Sequence, residues 1–457
     1  MEKSTHVRYG VLGFLSALSF ILYLDRVCIS KAALNIENDL GLSHTAMGFV
    51  FGAFTIAYGL FEVPTGAWGD RYGSRGVLTR IVIWWSLFTA LTGCVYQFSW
   101  KSGFRVHIPG IDQDLSLVFD SFILLMIVRF LFGAGEAGAF PNAARVLAHW
   151  FPLRERGMAQ GFVLTCSLLG GAAAPTAAGY LIQDVGWRWT FAIFGSVGIV
   201  WAAAFYYWFR DDPAEHSAVN DGERQFILDG NPPASVTDHH PPIPWKIVLA
   251  SPNVWLLGGV ITCGAFTAYM FMTWYPTYLQ KGRGVSSIEA GWLSSLVLAG
   301  GAVGCFCGGY LSGWIVRLTG ERKRSRRMIG ICTLGSAGLL LGACTQFESP
   351  VVTSLCAALA FGCAQAQQGN WWATVTDISG KHLGAMFGLM NSLGVPGAFI
   401  SPIFLGGFVD WRNEHGYVGR GQWDPGFYVY ATVLLIGACC WVFIEPTKSI
   451  VERDQPR

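Results

Sequence analysis

The sequence Arg129-Phe-Leu-Phe-Gly-Ala-Gly-Glu136-Ala-Gly-Ala-Phe-Pro141 places two opposite charges inside an apolar, glycine-rich run. Ionisable side chains are costly in a bilayer, so they usually face a water-filled cavity. A separation of seven residues returns Glu136 to within about 20° of Arg129, roughly 10 Å farther along a helix. The stretch therefore predicts a membrane helix, the fourth, with both charges facing one cavity at different depths. The alternative is a structural ion pair that fastens this helix to a neighbour.

The composition is that of a protein that crosses the membrane many times. The 457 residues are 52% hydrophobic and 13% charged, with a mean hydropathy of +0.41. This is too apolar for a soluble chain of this length. The net charge of +2 does not indicate a nucleic-acid partner. The twelve cysteines fall almost entirely in apolar runs, where they act as small apolar fillers, so we expect no metal site and no cofactor.

Apolar runs long enough to cross a bilayer occur in two groups of six. The first six are expected at 9–30, 45–66, 77–97, 119–147, 158–180 and 190–209. The second six are expected at 253–279, 290–315, 328–346, 351–376, 384–409 and 426–444. An acidic stretch with a proline-rich end, Arg210 to Pro244, separates the two groups.

This pattern predicts an all-α integral membrane protein with twelve transmembrane helices. Two six-helix bundles, residues 1–209 and 251–446, would be related by a pseudo-two-fold axis around a central cavity. A cytoplasmic linker at 210–250 would join them, and a cytoplasmic tail would follow at 447–457. The insertion at 98–117 would be an outside loop that could form a small hairpin.

The distribution of Lys and Arg predicts the orientation. These residues concentrate in the N-terminal segment, the even-to-odd connections, the linker and the C-terminal segment. The strongest contribution is Glu321-Arg-Lys-Arg-Ser-Arg-Arg327. Because basic residues favour the cytoplasmic side, both termini are expected there. This basic run could alternatively bind nucleic acid, but topology already accounts for it.

A loop motif, Gly66-Ala-Trp-Gly-Asp70-Arg71-Tyr72-Gly73-Ser74-Arg75, joins spans 2 and 3. Its glycines permit a tight turn, and its acid can approach a helix N-terminus or a neighbouring arginine. We therefore expect a conformational gate in this loop, formed by Gly66, Asp70, Arg71, Gly73 and Arg75. The corresponding stretch of the second half, Gly309-Tyr-Leu-Ser-Gly313, has glycine where the acid would be.

The six-plus-six spans, the loop motif and the charged linker resemble the major facilitator superfamily. More narrowly, the chain resembles the anion:cation symporter family, which includes bacterial hexonate and sugar-acid transporters and sialin-type carriers. The motifs are Tyr23-Leu-Asp25-Arg26, Arg129-Phe-x-x-Gly-x-Gly-Glu136, Trp150-Phe-Pro-x-x-Glu155-Arg156-Gly157 and Thr273-Trp-Tyr-Pro276-Thr-Tyr-Leu279. The resemblance implies an organic carboxylate that moves with protons, with fixed arginines binding the carboxylate and acids carrying the proton.

The depths of the charged residues favour the same roles. Asp25 is expected in the outer half of span 1, Arg129 near the midplane and Glu136 in the inner half, as a ladder of charges. A planar guanidinium binds a carboxylate through two hydrogen bonds, so Arg129 is the predicted ligand. Asp25 and Glu136 are the predicted proton-coupling residues. Arg26 points about 100° away from Asp25, so it either lines the cavity or anchors span 1 to a neighbour.

Neutral polar groups complete the predicted substrate site. Hydroxyls of Tyr58, Ser167 and Tyr269 could bind a polyol chain, although each could equally be an interface residue. In span 10 the polar run must meet protein, water or substrate, because unsatisfied amides are costly in hydrocarbon. The second-half candidates are Asn370, Trp371, Thr374 and Asn391, with packing as the alternative role of the tryptophan.

We therefore expect a proton-coupled symporter for a hexonate, hexuronate or other sugar acid. The alternative is a uniporter or antiporter for another organic anion, such as a dicarboxylate or a phosphorylated compound. The sequence contains no nucleophile with its base, no nucleotide-binding loop and no metal cluster, so an enzyme is not expected. The expected partners are a small organic anion, protons and the lipid bilayer, with a monomer in the cell inner membrane.

Overall fold

The computed structural model of the protein describes residues 4–106, 115–229, 245–379 and 383–446. The first group of helices is α1 (Val7–Leu40), α2 (His44–Tyr72), α3 (Ser74–Gly93), α4 (Ser121–Glu136), α5 (Ala139–Trp150) and α6 (Leu153–Trp208). Two short helices follow, α7 (Asp221–Asp229) and α8 (Trp245–Ala250). The second group is α9 (Pro252–Thr273), α10 (Tyr275–Thr277), α11 (Ser287–Thr319), α12 (Arg322–Cys344), α13 (Pro350–Ser379), α14 (Leu383–Glu414) and α15 (Arg420–Phe443).

In the described ranges, eleven helical stretches are long and apolar enough to cross a membrane, with α4 and α5 together forming one of them. The longest helix, α6, has 56 residues. At 1.5 Å per residue it is far longer than a hydrocarbon core of about 30 Å. Its backbone leaves helical geometry at Gly186, where φ is 82° and ψ is 160°. The predicted spans 158–180 and 190–209 lie on either side of this break, so α6 supplies two of the twelve expected crossings.

The fourth crossing is interrupted for two residues directly after its acid, within the single span that the sequence predicts. Helix α4 ends at Glu136, and a two-residue turn leads into α5. Pro141 falls in the first turn of α5, where its missing N–H removes no helical hydrogen bond. Neighbouring side chains leave little room at Gly138, because a Cβ there would lie 2.7 Å from Ile81. The interruption therefore lies in the charged stretch itself.

The insertion between α3 and α4 forms an antiparallel hairpin, as the sequence suggests. Strand β1 (Ser99–Val106) pairs with β2 (Leu115–Asp120), with Ser99 opposite Asp120. Its connection, 107–114, lies outside the described residues. The Asp120 side chain accepts a hydrogen bond from the Ile123 N–H at 3.1 Å, so the hairpin leads directly into an N-cap of α4.

The two groups of helices pack through α2 against α14 and through the first part of α6 against α11. Glycines permit close approach at both contacts. A Cβ at Gly48 would lie 2.6 Å from the Pro402 carbonyl oxygen, and one at Gly291 would lie 2.8 Å from that of Pro175. These contacts join span 2 to span 11 and span 5 to span 8, which a two-fold relation between the bundles would interchange.

Hydrogen bonds between the two groups lie where α1 ends and α2 begins, which we call the α1–α2 end. The Asp410 carboxylate accepts hydrogen bonds from the backbone N–H of Thr45 at 2.7 Å and of His44 at 3.3 Å. An acid of α14 therefore caps the N-terminus of α2. The Thr176 and Ser295 hydroxyls are 2.7 Å apart, which links α6 to α11.

Helices α2 and α14 remain close as far as Gly59, where a Cβ would lie 3.1 Å from Val395. One turn beyond that contact, on the same side of α14, Asn391 is exposed. The protein is therefore closed at the α1–α2 end.

Parts of the predicted linker are ordered against the first bundle. Glu223 of α7 is fully buried and accepts hydrogen bonds from the Thr5 hydroxyl at 2.7 Å and from the Val7 N–H at 3.0 Å. Its other oxygen pairs with Arg8 at 3.0 Å. Helix α7 therefore caps the start of α1. The predicted tail, 447–457, and the linker segment 230–244 lie outside the described residues.

Candidate functional site

The centre of the candidate site is an ion pair between α1 and α4. Arg26 donates from Nε and Nη2 to the same oxygen, Glu136 Oε2, at 3.0 and 2.8 Å. The other oxygen of Glu136 is buried and has no hydrogen-bond partner among the described residues. Arg26 keeps 12% of its side chain exposed. It therefore anchors span 1 to span 4 and also borders the cavity, so both sequence interpretations of this residue apply.

Three aromatic rings surround the Arg26 guanidinium. Its Cζ lies 4.7 Å from the ring centroid of Tyr23, 4.9 Å from that of Tyr58 and 5.0 Å from that of Phe54. A cation close to the electron-rich face of a ring is attracted to it, especially away from water. The predicted residue Tyr58 thus lies at the site, where its ring helps to fix the position of Arg26.

Arg129 and Asp25 lie beside this pair. Asp25 is fully buried, and Glu136 and Arg129 are the charged groups that act on it most strongly. In the described part of the chain, no hydrogen-bond partner is found for either oxygen of Asp25 or for Nε and Nη1 of Arg129. The Arg129 Cζ lies 4.2 Å from the Phe132 ring centroid. Two acids and two arginines thus form one cluster of interacting charges, and the order of depths that the sequence predicts stays a prediction.

A small cavity adjoins the cluster at the boundary between the two halves. The first half supplies Arg26, Phe54 and Arg129, and the second half supplies Tyr269 and Thr273. Its volume is about 20 Å³, which is enough for one water molecule. A sugar acid needs more room, so substrate binding requires these helices to move apart. The predicted residue Tyr269 lies in this wall, and Thr273 was not among the predicted residues.

Four other predicted ligands lie elsewhere. Ser167 is fully buried, and its hydroxyl donates to the Leu164 carbonyl of its own helix at 2.7 Å. Trp371 donates from Nε1 to the Leu257 carbonyl of α9 at 3.1 Å. Thr374 is buried, and its hydroxyl bonds the Asn370 carbonyl at 2.8 Å. Asn370 is fully buried between α11 and α12, so these side chains serve packing and not the cavity.

The contacts of α13 show that the sequence prediction chose residues on the packed side of this helix. Gly362 and Gly369 meet α11, and Trp371 meets α9. At 100° per residue, the side away from α9, α11 and α12 carries Gln365, Gln368 and Trp372. These side chains are partly or fully exposed. The polar run does contain accessible residues, but on a different side of the helix from the one predicted.

A third acid lies close to Arg26 and was missed in the sequence. Glu62 is one turn along α2 from Tyr58 and is partly buried, with Arg26 as its nearest charged group. Glu62 could have been recognised as an acid inside the predicted span 45–66, because the same observation identified Glu136 in span 4. Asn391 remains a candidate, because it is exposed on the side of α14 that faces α2.

The loop motif at 66–75 is bonded within its own half. The Arg75 N–H donates to Asp211 at 2.9 Å, and its guanidinium donates to the Tyr206 carbonyl at 2.6 and 2.8 Å. Gly73 has a φ of 78°, and a Cβ there would lie 2.7 Å from the Asp211 carboxylate. Arg71 is exposed. The side chains of Gly66 and Asp70 lie outside those the structure describes, so the gate remains a prediction.

The second half contains an acid near the corresponding place, although it comes from another helix. Arg326 of α12 donates to the Ser312 hydroxyl at 2.6 Å and pairs with Asp377 of α13 at 3.4 Å. Asn370 accepts a hydrogen bond from the same hydroxyl at 3.3 Å. The second half thus has an acid, Asp377, in the hydrogen-bonded cluster that includes Ser312, the residue before Gly313.

Known proteins identify the class to which this fold and site belong. The family model of the Major Facilitator Superfamily matches residues 15–402, and the chain belongs to this family. A bacterial homolog of the human lysosomal transporter Spinster has the same fold, with a TM-score of 0.77 at 20% identity over 97% of this chain and 98% of that one. The all-helical membrane fold expected from the sequence is confirmed.

Relatives narrow the class to transporters of organic anions. The chain is 29% identical over 460 aligned residues to the probable sulfoacetate transporter SauU of Cupriavidus necator, covering 100% of this chain and 98% of that protein. It is 31% identical over 470 aligned residues to the probable galactarate/D-glucarate transporter GudP of Bacillus subtilis, covering 99% and 95%. The resemblance to the anion:cation symporter family is thereby confirmed, and the family and these relatives are transporters and not enzymes.

Proposed function

We propose that the protein is a proton-coupled symporter that takes up a small organic anion, a hexonate, hexuronate or other sugar acid, by alternating access. The observation that carries this proposal is the pair of arginines at the inter-half cavity. Arg129 presents buried Nε and Nη1 groups without hydrogen-bond partners among the described residues. Buried donors of a cation without partners are costly, and an anionic substrate supplies the missing acceptors.

The Arg26–Glu136 pair links substrate binding to a proton. Glu136 occupies the edge of the guanidinium formed by Nε and Nη2, which is one of the edges that a substrate carboxylate can bind through two hydrogen bonds. A carboxylate that takes this edge displaces Glu136 from its cation. An ionised, buried and unpaired carboxylate is strongly disfavoured, so Glu136 takes up a proton. Substrate and proton therefore bind together.

Charge balance sets the number of protons. In the proposed cycle Glu62 stays protonated, so Asp25 and Glu136 neutralise Arg26 and Arg129 and the resting cluster has no net charge. Each carboxylate of a substrate adds one negative charge in a poorly solvated site. Protonation of one acid cancels that charge, with Glu136 for the first carboxylate and Asp25, beside Arg129, for a second. One proton then accompanies each carboxylate.

Two arginines at one cavity favour substrates with two anionic groups. Galactarate and D-glucarate, in the name of one relative, are dicarboxylates, and sulfoacetate, in the name of another, carries a carboxylate and a sulfonate. We therefore include six-carbon dicarboxylates among the expected sugar acids. Their hydroxyls would meet Tyr58 and Tyr269, together with the second-half amides Gln365, Gln368 and Asn391.

The positive-inside pattern assigns the α1–α2 end to the outside and both termini to the cytoplasm. The structure then corresponds to a state closed to the outside. For uptake, the Asp410 cap on α2 and the hydroxyl contact between Thr176 and Ser295 must break and form again in each cycle. Because the site lies within one chain, a monomer in the inner membrane suffices.

A thermal-shift panel tests the substrate class. Purified protein would be heated with gluconate, glucuronate, D-glucarate, galactarate or sulfoacetate, and a ligand stabilises the folded state according to its concentration relative to its Kd. We expect at least one of these anions to raise the melting temperature. Arg129→Lys should abolish the shift, because an ammonium cannot reproduce the guanidinium fork. The matched control Arg188→Lys, which changes a partly exposed arginine paired with Asp39, should retain it.

Two outcomes would contradict the proposal. If none of these anions shifts the melting temperature, the substrate class is wrong. If Arg129→Lys binds the effective anion with unchanged affinity, Arg129 is not its ligand. A shift by the anion without any dependence of transport on a proton gradient would favour a uniporter or antiporter instead.

A further inference from the structure

A groove between α11 and α12 opens on the outer surface of the second bundle, away from the central cavity. It has a volume of about 590 Å³. Its walls are apolar along most of its length, with Leu311 and Ile315 on α11 and Met328 and Ile329 on α12. Leu311 is 40% exposed and Met328 is 52% exposed. Both helices are membrane-crossing segments, so these walls face hydrocarbon.

The mouth of the groove is the N-terminus of α12, and it is basic. The first three residues of this helix are Arg322, Lys323 and Arg324, all of them exposed. The N-cap residue, Glu321, makes no side-chain hydrogen bond to the helix. The first N–H groups of a helix have no intrahelical acceptor and carry partial positive charge. Three cations at this position therefore oppose the helix dipole, unless an anion is present.

Little in the described part of the chain neutralises this charge. Lys323 pairs with Glu445. Arg324, which lines the groove, has no acidic partner among the described residues, and Glu321 is the only acid in the groove wall. The site thus combines an apolar channel in the membrane with a cationic mouth at its surface. Positive-inside topology explains the presence of basic residues, but not their placement at an uncapped helix N-terminus above an apolar groove.

We propose that this groove binds an anionic phospholipid, such as phosphatidylglycerol. The phosphate accepts hydrogen bonds from Arg324 and from the free N–H groups of the first turn of α12, and an acyl chain lies along Leu311, Ile315 and Met328. The distance from Arg324 to Cys332, eight residues along α12, is about 12 Å, which accommodates the upper part of an acyl chain. Membranes attract basic residues through anionic lipids, and basic pockets between transmembrane helices are known sites for such headgroups.

The lipid site is close to the charge cluster of the second half. Ser325 and Arg326 follow Arg324 and are buried, and Arg326 bonds Ser312 and Asp377. A lipid at the mouth of the groove therefore stabilises the turn of α12 that carries this cluster. This inference does not depend on which anion the protein transports.

Native mass spectrometry of the purified protein tests the site. Protein in detergent would be titrated with phosphatidylglycerol, with phosphatidylethanolamine of the same chains, or with inorganic phosphate. We expect retained phosphatidylglycerol and little retained phosphatidylethanolamine. Each basic residue near a membrane surface contributes about 1 kcal/mol, so Arg324→Gln should weaken phosphatidylglycerol binding about fivefold and Arg322→Gln with Arg324→Gln about 30-fold.

Two further variants test whether the lipid binds in the groove or is attracted by positive charge in general. Cys332→Trp fills an exposed part of the groove without changing charge, and it should weaken retention of phosphatidylglycerol. Arg80→Gln removes an exposed charge from α3, far from the groove, and it should leave retention unchanged.

Three results would overturn the proposal. The first is equal retention of the two phospholipids by the wild-type protein. The second is retention that Arg324→Gln and Cys332→Trp do not alter in correctly folded protein, as judged by size-exclusion chromatography. The third is displacement of the lipid by millimolar inorganic phosphate, which would identify the mouth as a site for free phosphate.

Discussion

Replacing Lys31 with Met should hold the α1–α2 end more firmly closed. Lys31 is 0% exposed where α1 meets α6 and α11, and its ammonium donates to the Ser287 hydroxyl of the second half at 2.6 Å. In the described part of the chain no acidic side chain pairs with it. Opening this end would separate Lys31 from Ser287 and return the ammonium to water. The buried cation therefore opposes closure.

The size of this effect can be bounded. A buried lysine can avoid its desolvation penalty by losing its proton, which at pH 7 costs about 5 kcal/mol from an ordinary lysine. A hydrogen bond to a charged group returns about 1.5–3 kcal/mol in the closed state. At most about 2–3.5 kcal/mol then opposes closure. Met has a similar length and no charge, so Lys31→Met should shift the equilibrium toward closure by about 30-fold to a few hundred-fold at this upper limit.

Ser287→Ala should act in the opposite direction, because it removes the hydrogen bond and leaves the cation buried. Spin labels at Ser43→Cys and His415→Cys, in a background without the native cysteines, would report distances across this end by double electron–electron resonance. Both positions are exposed and lie on opposite halves. We expect a larger short-distance population for Lys31→Met and a smaller one for Ser287→Ala. Glu348→Gln, which removes an exposed charge at the same end, is the control.

If Lys31→Met leaves the distances unchanged, or if both variants shift them in the same direction, the reasoning about an unpaired buried cation is wrong.

Three further predictions concern the charge cluster, the Asp410 cap on α2 and Gly73 of the loop motif. A dicarboxylate should enter proteoliposomes with twice as many protons as a monocarboxylate, and equal proton uptake, measured with an internal pH-sensitive dye, would contradict the charge-balance argument. Asp410→Ala should weaken the cap on α2 by about 1–2 kcal/mol and lengthen the distances between the labels at the α1–α2 end. Gly73→Ala should lower the melting temperature. The positive φ at this position costs a residue with a Cβ about 1–3 kcal/mol, and the added methyl group would meet Asp211. The control Gly76→Ala, whose added methyl group would enter open space, should leave the melting temperature unchanged.

The sequence is informative about the membrane helices and about the charges inside them, for a local reason. Hydropathy depends only on residues that are neighbours along the chain, and a charge within an apolar run is conspicuous wherever the run packs. Asp25, Arg26, Arg129 and Glu136 could therefore be found, and the structure brings them into one cluster.

The partners within the cluster depend on how helices pack and could not be read from periodicity. Arg26 and Glu136 are 110 residues apart, and their pairing follows from the contact of α1 with α4. Span 10 shows the same limit, because its polar residues occur on several sides of α13. Without its neighbours, nothing distinguishes Asn370, which is buried against α12, from Gln368, which is partly exposed.

Accumulation and exchange by Glu136→Gln test the coupling of anion and proton most directly. Proteoliposomes with an alkaline interior would be given the radiolabelled sugar acid that produces the largest thermal shift. The wild-type protein should accumulate it above the external concentration. An amide at this position cannot release a proton, so the variant should lose accumulation but still exchange external for internal substrate, because exchange needs no net proton movement. Accumulation by Glu136→Gln equal to that of the wild type, under the same gradient, would remove Glu136 from the proton path and contradict the account.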